Sequence, residues 1–256
     1  MLRMEIVAVS ALRDNYIWVL CEGRHCVVVD PGEAAPVLGL LRTRDLELRA
    51  ILLTHRHADH QGGTTELLAH TPVPVYGPVS PAMPGVTQGV GEGSEIVVPG
   101  LTMPFQVLAV PGHTEEHIAY LRGDALFCGD TLFAAGCGRL LGGTAAQLSA
   151  SLQRLAALPA RTRIYCAHEY TLANLAFAAA VEPANSQLQA RRQHCEALRA
   201  AGQATIPSLL AEELATNPFL RCTDKRVVAA AEKQAGHALH GPVEVFTALR
   251  KWKDQF

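Results

Sequence analysis

Along the first two-thirds of the chain, hydrophobic and polar positions alternate in short runs broken by glycine and proline. The runs at 5–9, 16–21, 26–29, 50–53, 73–76, 102–110, 118–121, 125–128 and 163–166 predict strands. Residues 17–20 and 26–29 face each other across Glu22-Gly23-Arg24, which predicts a hairpin, and Asp30-Pro31-Gly32 is a turn that ends its second strand. Apolar positions at helical spacing predict helices over 34–42, 63–69 and 145–158. Strands interleaved with helices imply layers, with helices outside and sheets within.

The pattern changes near residue 169. From there to Phe256 the chain is rich in Ala, Leu, Gln and Arg, punctuated by Pro183, Pro207, Pro218 and Pro242. Strand signals vanish and helices take over, so a boundary is expected between residues 1–169 and 170–256. If Pro242 opens the last helix, Arg250 and Lys253 share one of its faces.

Composition narrows the partners. With 49% hydrophobic and 18% charged residues in 256, a sizeable core is expected. The formal charge of -2 supplies no basic face, so no nucleic-acid partner is expected. Met1-Leu2-Arg3-Met4-Glu5-Ile6 lacks the apolar run of a secretory leader. The apolar stretch at 172–181 is too short to cross a bilayer, so no membrane partner is expected. Seven cysteines without CxxC spacing argue against a disulfide framework and for reduced thiols in the cytoplasm.

The densest chemistry is Thr54-His55-Arg56-His57-Ala58-Asp59-His60, directly after the apolar run Ala50-Ile51-Leu52-Leu53. In extended chain, residues two apart point the same way, so His55 and His57 can grip one ion together. A turn into helix near Asp59 would send Asp59 and His60 toward a second ion or a water. Imidazole nitrogen and carboxylate oxygen are the ligand set of zinc and similar metals. Three later strand ends each carry one more candidate: His113 in Pro111-Gly112-His113-Thr114, Asp130 in Cys128-Gly129-Asp130-Thr131, and His168 in Ala167-His168-Glu169.

In their order, these motifs (THxHxDH, GHT, GD and a late His) resemble those of the metallo-β-lactamase superfamily. The resemblance implies an α+β fold, a four-layered αββα sandwich followed by a C-terminal helical domain. It implies that His55, His57 and His113 bind one metal, that Asp59, His60 and His168 bind a second, and that Asp130 bridges them. Glu116 departs from the small residue many members carry there, and only a local change is expected. His117 is read as support behind the ligands or as core.

The C-terminal third adds Pro207-Ser208-Leu209, Asn217-Pro218-Phe219-Leu220-Arg221 and Arg250-Lys251-Trp252-Lys253-Asp254. Together with Gly136-Cys137-Gly138-Arg139 and His168-Glu169-Tyr170-Thr171, these resemble glyoxalase II, the hydroxyacylglutathione hydrolases. That resemblance implies hydrolysis of the thioester of S-(2-hydroxyacyl)glutathione, such as S-D-lactoylglutathione, to glutathione and a 2-hydroxy acid, the second step of methylglyoxal detoxification. The nucleophile would be a hydroxide between two divalent ions, zinc first, with iron or manganese as alternatives. Asp59 would orient the nucleophile and Asp130 hold the ions together. Arg139, Tyr170, Asn174, Arg250 and Lys253 would contact glutathione, while Leu141 stands where some members have an aromatic residue. A monomer is expected. The alternatives are another hydrolase of this fold, a persulfide dioxygenase with one iron, or an inactive glutathione-binding protein.

Overall fold

A computed structural model describes residues 4–256; residues 1–3, the start of the stretch read for a leader, lie outside that range. The chain forms two compact units. Of the described residues, the first comprises 4–109 and Glu116–Gly129, the second Val110–Glu115 and Asp130–Phe256.

The first unit begins with the antiparallel strands β1 (Glu5–Ala11), β2 (Asn15–Glu22) and β3 (His25–Val29). All eight residues of β2 are buried, which is why its sequence is a nearly unbroken apolar run rather than an alternation. The expected hairpin joins β2 to β3, and Gly23 takes the left-handed conformation its tight turn requires (φ 62°). Helix α1 (Ala35–Thr43) then carries the chain to β4 (Glu47–Leu52), parallel to β3. Parallel neighbours need such a crossover. The short helices α2 (Ala58–Gln61) and α3 (Thr64–His70) precede β5 (Val75–Gly77) and β6 (Gln88–Gly89), which complete this sheet. Ile17, Val19, Val28, Ile51 and Leu53 pack with Val37 of α1 and Leu67 of α3 into its core. The histidine-rich segment leaves the carboxyl end of β4, where parallel sheets commonly present their chemistry.

A second group of strands in this unit, β7 (Glu95–Ile96), β8 (Phe105–Ala109), β9 (Ile118–Arg122) and β10 (Ala125–Gly129), pairs antiparallel in the order β7-β8-β9-β10. A buried ion pair ties this group to the first sheet. Arg122 Nη2 lies 2.5 Å from Glu22 Oε1, and the Glu22 carboxylate also accepts the Thr102 backbone N–H at 2.8 Å and its hydroxyl at 3.1 Å.

The second unit starts with a small hairpin, β11 (Leu132–Phe133) with β12 (Gly136–Cys137). Helix α4 (Ala145–Ala156) follows, opened by a reciprocal Thr144–Gln147 capping box. After β13 (Arg163–Cys166) the chain is helical: α5 (Thr171–Val181), α6 (Ser186–Ala200), α7 (Leu210–Thr216), the 3-10 turn Pro218–Leu220, α8 (Lys225–Ala235) and α9 (Pro242–Gln255). Pro242 does open α9. Phe219 packs against Phe177 and Phe246, with ring centres 5.8 and 5.7 Å away.

The differences from the sequence reading have local causes. The strand expected at 102–110 is shortened to Phe105–Ala109, because Pro104 removes a ladder donor. The region expected to lack strands contains β14 (Ser208–Leu209), antiparallel to β13; two residues are too few to show a period. The same brevity hides β6, β7, β11 and β12. All seven cysteines are buried and none is joined to another. No helix of the described residues is long and apolar enough to cross a membrane.

The buried pair yields a prediction. Arg122→Leu strands the Glu22 carboxylate in the core and should cost about 3 kcal/mol of stability. Urea unfolding measures this, and a wild-type midpoint would contradict it.

Candidate metal centre

In the first unit, the end of β4 passes through Thr54 into His55 and His57, and α2 then carries Asp59 and His60. His55 and His60 are fully buried. His55 Nε2 and His57 Nδ1 are 2.9 Å apart, and the His55 and His60 rings lie 4.1 Å centre to centre. His60 Nε2 is 3.5 Å from Asp59 Oδ2. These are the four residues that the sequence spacing singled out.

The rings are fixed from behind by a residue that the sequence reading treated only as a turn. Asp30, buried and left-handed (φ 52°), accepts the Thr54 backbone N–H at 2.8 Å through Oδ1. Its Oδ2 accepts the Thr54 hydroxyl at 2.7 Å and lies 3.0 Å from His60 Nδ1. A carboxylate only accepts, so His60 carries a proton on Nδ1, and in the neutral ring the lone pair is then on Nε2. The Thr54 hydroxyl has given its one proton to Asp30. Toward His55 Nδ1, 3.0 Å away, it therefore accepts, which sets the same tautomer in His55. Asn15, equally unforeseen, donates to Asp59 Oδ2 at 3.1 Å. Asp-Pro-Gly is a common turn signal, and a lone Asn has no spacing; neither advertised a role.

Packing is tight around this half. His117 is buried and stacks on His55 at 4.5 Å. A Cβ on Gly129 would meet the Thr54 hydroxyl at 2.4 Å, so glycine is required there. Glu116, the departure in the GHT motif, pairs with Arg56 at 2.5 Å and accepts the Arg56 backbone N–H at 3.2 Å, between His55 and His57.

The second unit carries candidate donors of its own. Asp130 is buried between two imidazoles: Oδ2 lies 3.4 Å from His113 Nε2, and Oδ1 lies 3.4 Å from His168 Nε2. His113 Nδ1 donates to the Arg139 carbonyl at 2.8 Å. A carbonyl has no proton to give, so His113 also presents a bare Nε2. The first unit thus holds His55, His57, Asp59 and His60, and the second His113, Asp130 and His168, imidazoles and carboxylates of the kind that bind metal ions.

The residues read as glutathione contacts also lie in this unit. Tyr170 is part-exposed and stacks on His168 at 4.7 Å, with planes 4° apart. Arg139 is open to solvent and 3.8 Å from Asp254. Arg250 is buried: Nη1 donates to the Cys137 carbonyl at 3.0 Å, and Nη2 to Asp254 at 3.0 Å. Lys253 donates to the Ala173 carbonyl at 3.1 Å. Burial, with repulsion from Arg250 behind it, lowers the Lys253 ammonium pKa to about 8. Asn174 is buried, its amide committed to the Ala134 carbonyl at 3.0 Å, and Leu141 is exposed.

Comparison with known proteins places the chain in a family. Residues 12–168 match the model of the metallo-beta-lactamase superfamily, and residues 169–256 match that of the hydroxyacylglutathione hydrolase C-terminus. The chain is 56% identical to a hydroxyacylglutathione hydrolase of Alkalilimnicola ehrlichii over 98% of this chain and 99% of that one. Among solved structures, ETHE1 from Myxococcus xanthus is 27% identical over 98% of both chains, with a TM-score of 0.66. TTHA1623, solved in a di-iron-bound form, is 31% identical over 64% of this chain and 91% of its own, with a TM-score of 0.53. The fold is that of the metallo-β-lactamases, α+β with a helical C-terminal region. The chain belongs to that superfamily and, within it, to the hydroxyacylglutathione hydrolases.

Asp30 offers a test of the fastening. In Asp30→Asn one oxygen can still serve Thr54, but the new NH2 meets the His60 Nδ1–H donor to donor. Metal affinity should fall by roughly 10- to 100-fold. Titration of the metal-free protein with zinc measures it, and unchanged affinity would remove Asp30 from the site.

Proposed function

We propose that this chain hydrolyses the thioester of S-(2-hydroxyacyl)glutathione to glutathione and a 2-hydroxy acid. The observation that carries this reading is the full-length likeness to hydroxyacylglutathione hydrolases, joined to a donor set of five imidazoles and two carboxylates.

In this reading the donors of the two units act as two groups. His55, His57, His113 and Asp130 would hold one divalent ion; Asp59, His60 and His168 would hold another, with Asp130 shared. Zinc suits these ligands best, and iron or manganese would be accepted by the same atoms. When bound, such ions polarise a carbonyl oxygen and lower the pKa of a water to about 7. Asp59, steadied by Asn15, accepts a hydrogen bond from the attacking water through its carboxylate and so aims the water's lone pair at the thioester carbon. Asp130 Oδ2 faces His113 Nε2 and Oδ1 faces His168 Nε2, so this carboxylate would hold the ions together. The glutathione thiolate then departs. Its modest basicity, near that of a free thiol at about 8.5, requires no strong general acid.

Arg139, Tyr170 and Lys253 would receive the tripeptide, with Arg250 and Asn174 behind them. The two carboxylates of glutathione call for cations, and the stacked Tyr170 presents a hydroxyl beside His168. The helical segment 170–256 is thereby the substrate-binding part and 1–169 the metal-binding part. We further assign the chain to the cytoplasm as a monomer with no nucleic-acid or membrane partner. The net charge of -2 and seven cysteines without a disulfide support that assignment.

Metal-replete protein should consume S-D-lactoylglutathione, followed as loss of thioester absorbance, and should lose this activity on chelation; no turnover would reject the proposal. A pH dependence follows from Lys253. Its pKa of about 8 lies below that of an ordinary lysine, so it is charged below pH 8 and becomes neutral above it. KM should therefore rise severalfold between pH 7 and pH 9, and Lys253→Arg should flatten that rise. A KM indifferent to pH in the native chain would remove Lys253 from the substrate site.

A further inference from the structure

The turn within the segment from Asp130 to Arg139 is held by buried side chains of the C-terminal region at four of its backbone groups. Asn217 Nδ2 donates to the Gly136 carbonyl at 2.9 Å and to the Phe133 carbonyl at 3.3 Å. Asn174 Nδ2 donates to the Ala134 carbonyl at 3.0 Å. Glu213 Oε2 accepts the Ala135 N–H at 2.8 Å. Glu213 and Asn217 are fully buried, and Asn174 is nearly so. Four consecutive residues that would otherwise bury orphaned amide groups are thus satisfied by three side chains.

The clamp is itself rigid. Asn217 Oδ1 accepts the Phe219 N–H at 3.1 Å, and Nδ2 also lies 3.1 Å from Glu213 Oε2. The orientation of the amide is therefore fixed, with its NH2 toward the carbonyls. The Glu213 charge is met by buried Arg191 at 2.5 Å. Ala135 is held left-handed at φ 55°, which a side chain other than glycine seldom adopts unless its surroundings impose it. Gly136 lies so close to Asn174 that a Cβ would meet the amide at 2.5 Å.

What this turn carries gives the clamp its meaning. Asp130 immediately precedes the hairpin, and the Thr131 carbonyl accepts the Gly138 N–H at 3.2 Å, closing the hairpin base. Arg139, just beyond, supplies the carbonyl that sets the His113 tautomer. The Phe133 ring lies edge-on to His168 at 5.8 Å. All three donors of this unit lean on one small hairpin.

We infer that Asn217 and Glu213, with Asn174, are positioning residues for the metal-ligand hairpin, acting through the backbone of residues 133–136. The inference rests on the proposed ligand roles of Asp130, His113 and His168. It gives the Asn217-Pro218-Phe219 run a task apart from substrate contact: Pro218 and Phe219 seat the turn among the helices while Asn217 reaches the hairpin.

The test uses Asn217→Asp and Asn174→Asp, which keep side-chain size but turn an acceptor toward the carbonyls. Each is loaded with cobalt(II) and compared with the native chain in thermal midpoint, visible spectrum, metal release to a chelator, KM and kcat. The expected result, well below the melting temperature, is roughly tenfold or faster metal release and an altered cobalt band, with kcat reduced more than KM is raised. A lowered melting temperature with native cobalt spectrum and native release rate would make these residues merely structural and overturn the inference. Should Asn217→Asp fail to fold, Asn174→Asp decides by the same readouts. Asp130→Ala separates the two levels: loss of cobalt binding upholds the ligand assignment independently, whereas full binding would overturn that assignment and this inference with it.

Discussion

Three imidazoles in this protein are fastened at Nδ1 by groups that can only accept a proton: His60 by the Asp30 carboxylate, His113 by the Arg139 carbonyl, and His55 by a Thr54 hydroxyl whose own proton is already given to Asp30. Everything else about the site depends on that constraint. A neutral imidazole with its proton on Nδ1 has one lone pair left, on Nε2, so the acceptor behind the ring decides which face of the histidine is a ligand. Were the acceptors replaced by donors, the same three rings would stand in the same places with their lone pairs turned away.

The two units supply this constraint in different ways. In the first, a side chain on the turn after β3 does the fastening, and the parallel pairing of β3 with β4 brings Asp30 beside Thr54. In the second, a backbone carbonyl does it, and a carbonyl on a short hairpin is only as fixed as the hairpin. The buried polar residues of the helices, Asn174, Glu213 and Asn217, therefore have a reason to be where they are. Burying an amide or a carboxylate is costly unless each is fully hydrogen-bonded, and these are. The helical region thus serves the chemistry twice, as the proposed seat for glutathione and as the frame for the ligand hairpin. Arg250 illustrates the overlap, since its guanidinium holds the Cys137 carbonyl while lying on the helix face read as a carboxylate clamp.

Much of this was legible in the sequence because spacing encodes direction. His55 and His57, two apart, could be read as pointing together, and the switch to helix at Asp59 could be read from the same stretch. The longer strands, the hairpin at Gly23 and the helix opened by Pro242 were equally visible, since each has a period or a turn residue to mark it. Asp30 and Asn15 were not visible. Their roles exist only through partners 24 to 44 residues away, and nothing local distinguishes them from a turn residue and a strand residue. Asn217 was noticed as part of a motif, yet its partners at Phe133 and Gly136 are more than 80 residues away. The two-residue strands escaped for a simpler reason, that a period needs more than two positions.

The most direct check on the account is the protonation of the rings themselves. Nitrogen-15 NMR of the metal-free protein distinguishes a protonated Nδ1 from a protonated Nε2 at each histidine. The expected result is a proton on Nδ1 of His55, His60 and His113. Finding that proton on Nε2 in any of the three would contradict it, because that ring would have no lone pair to offer.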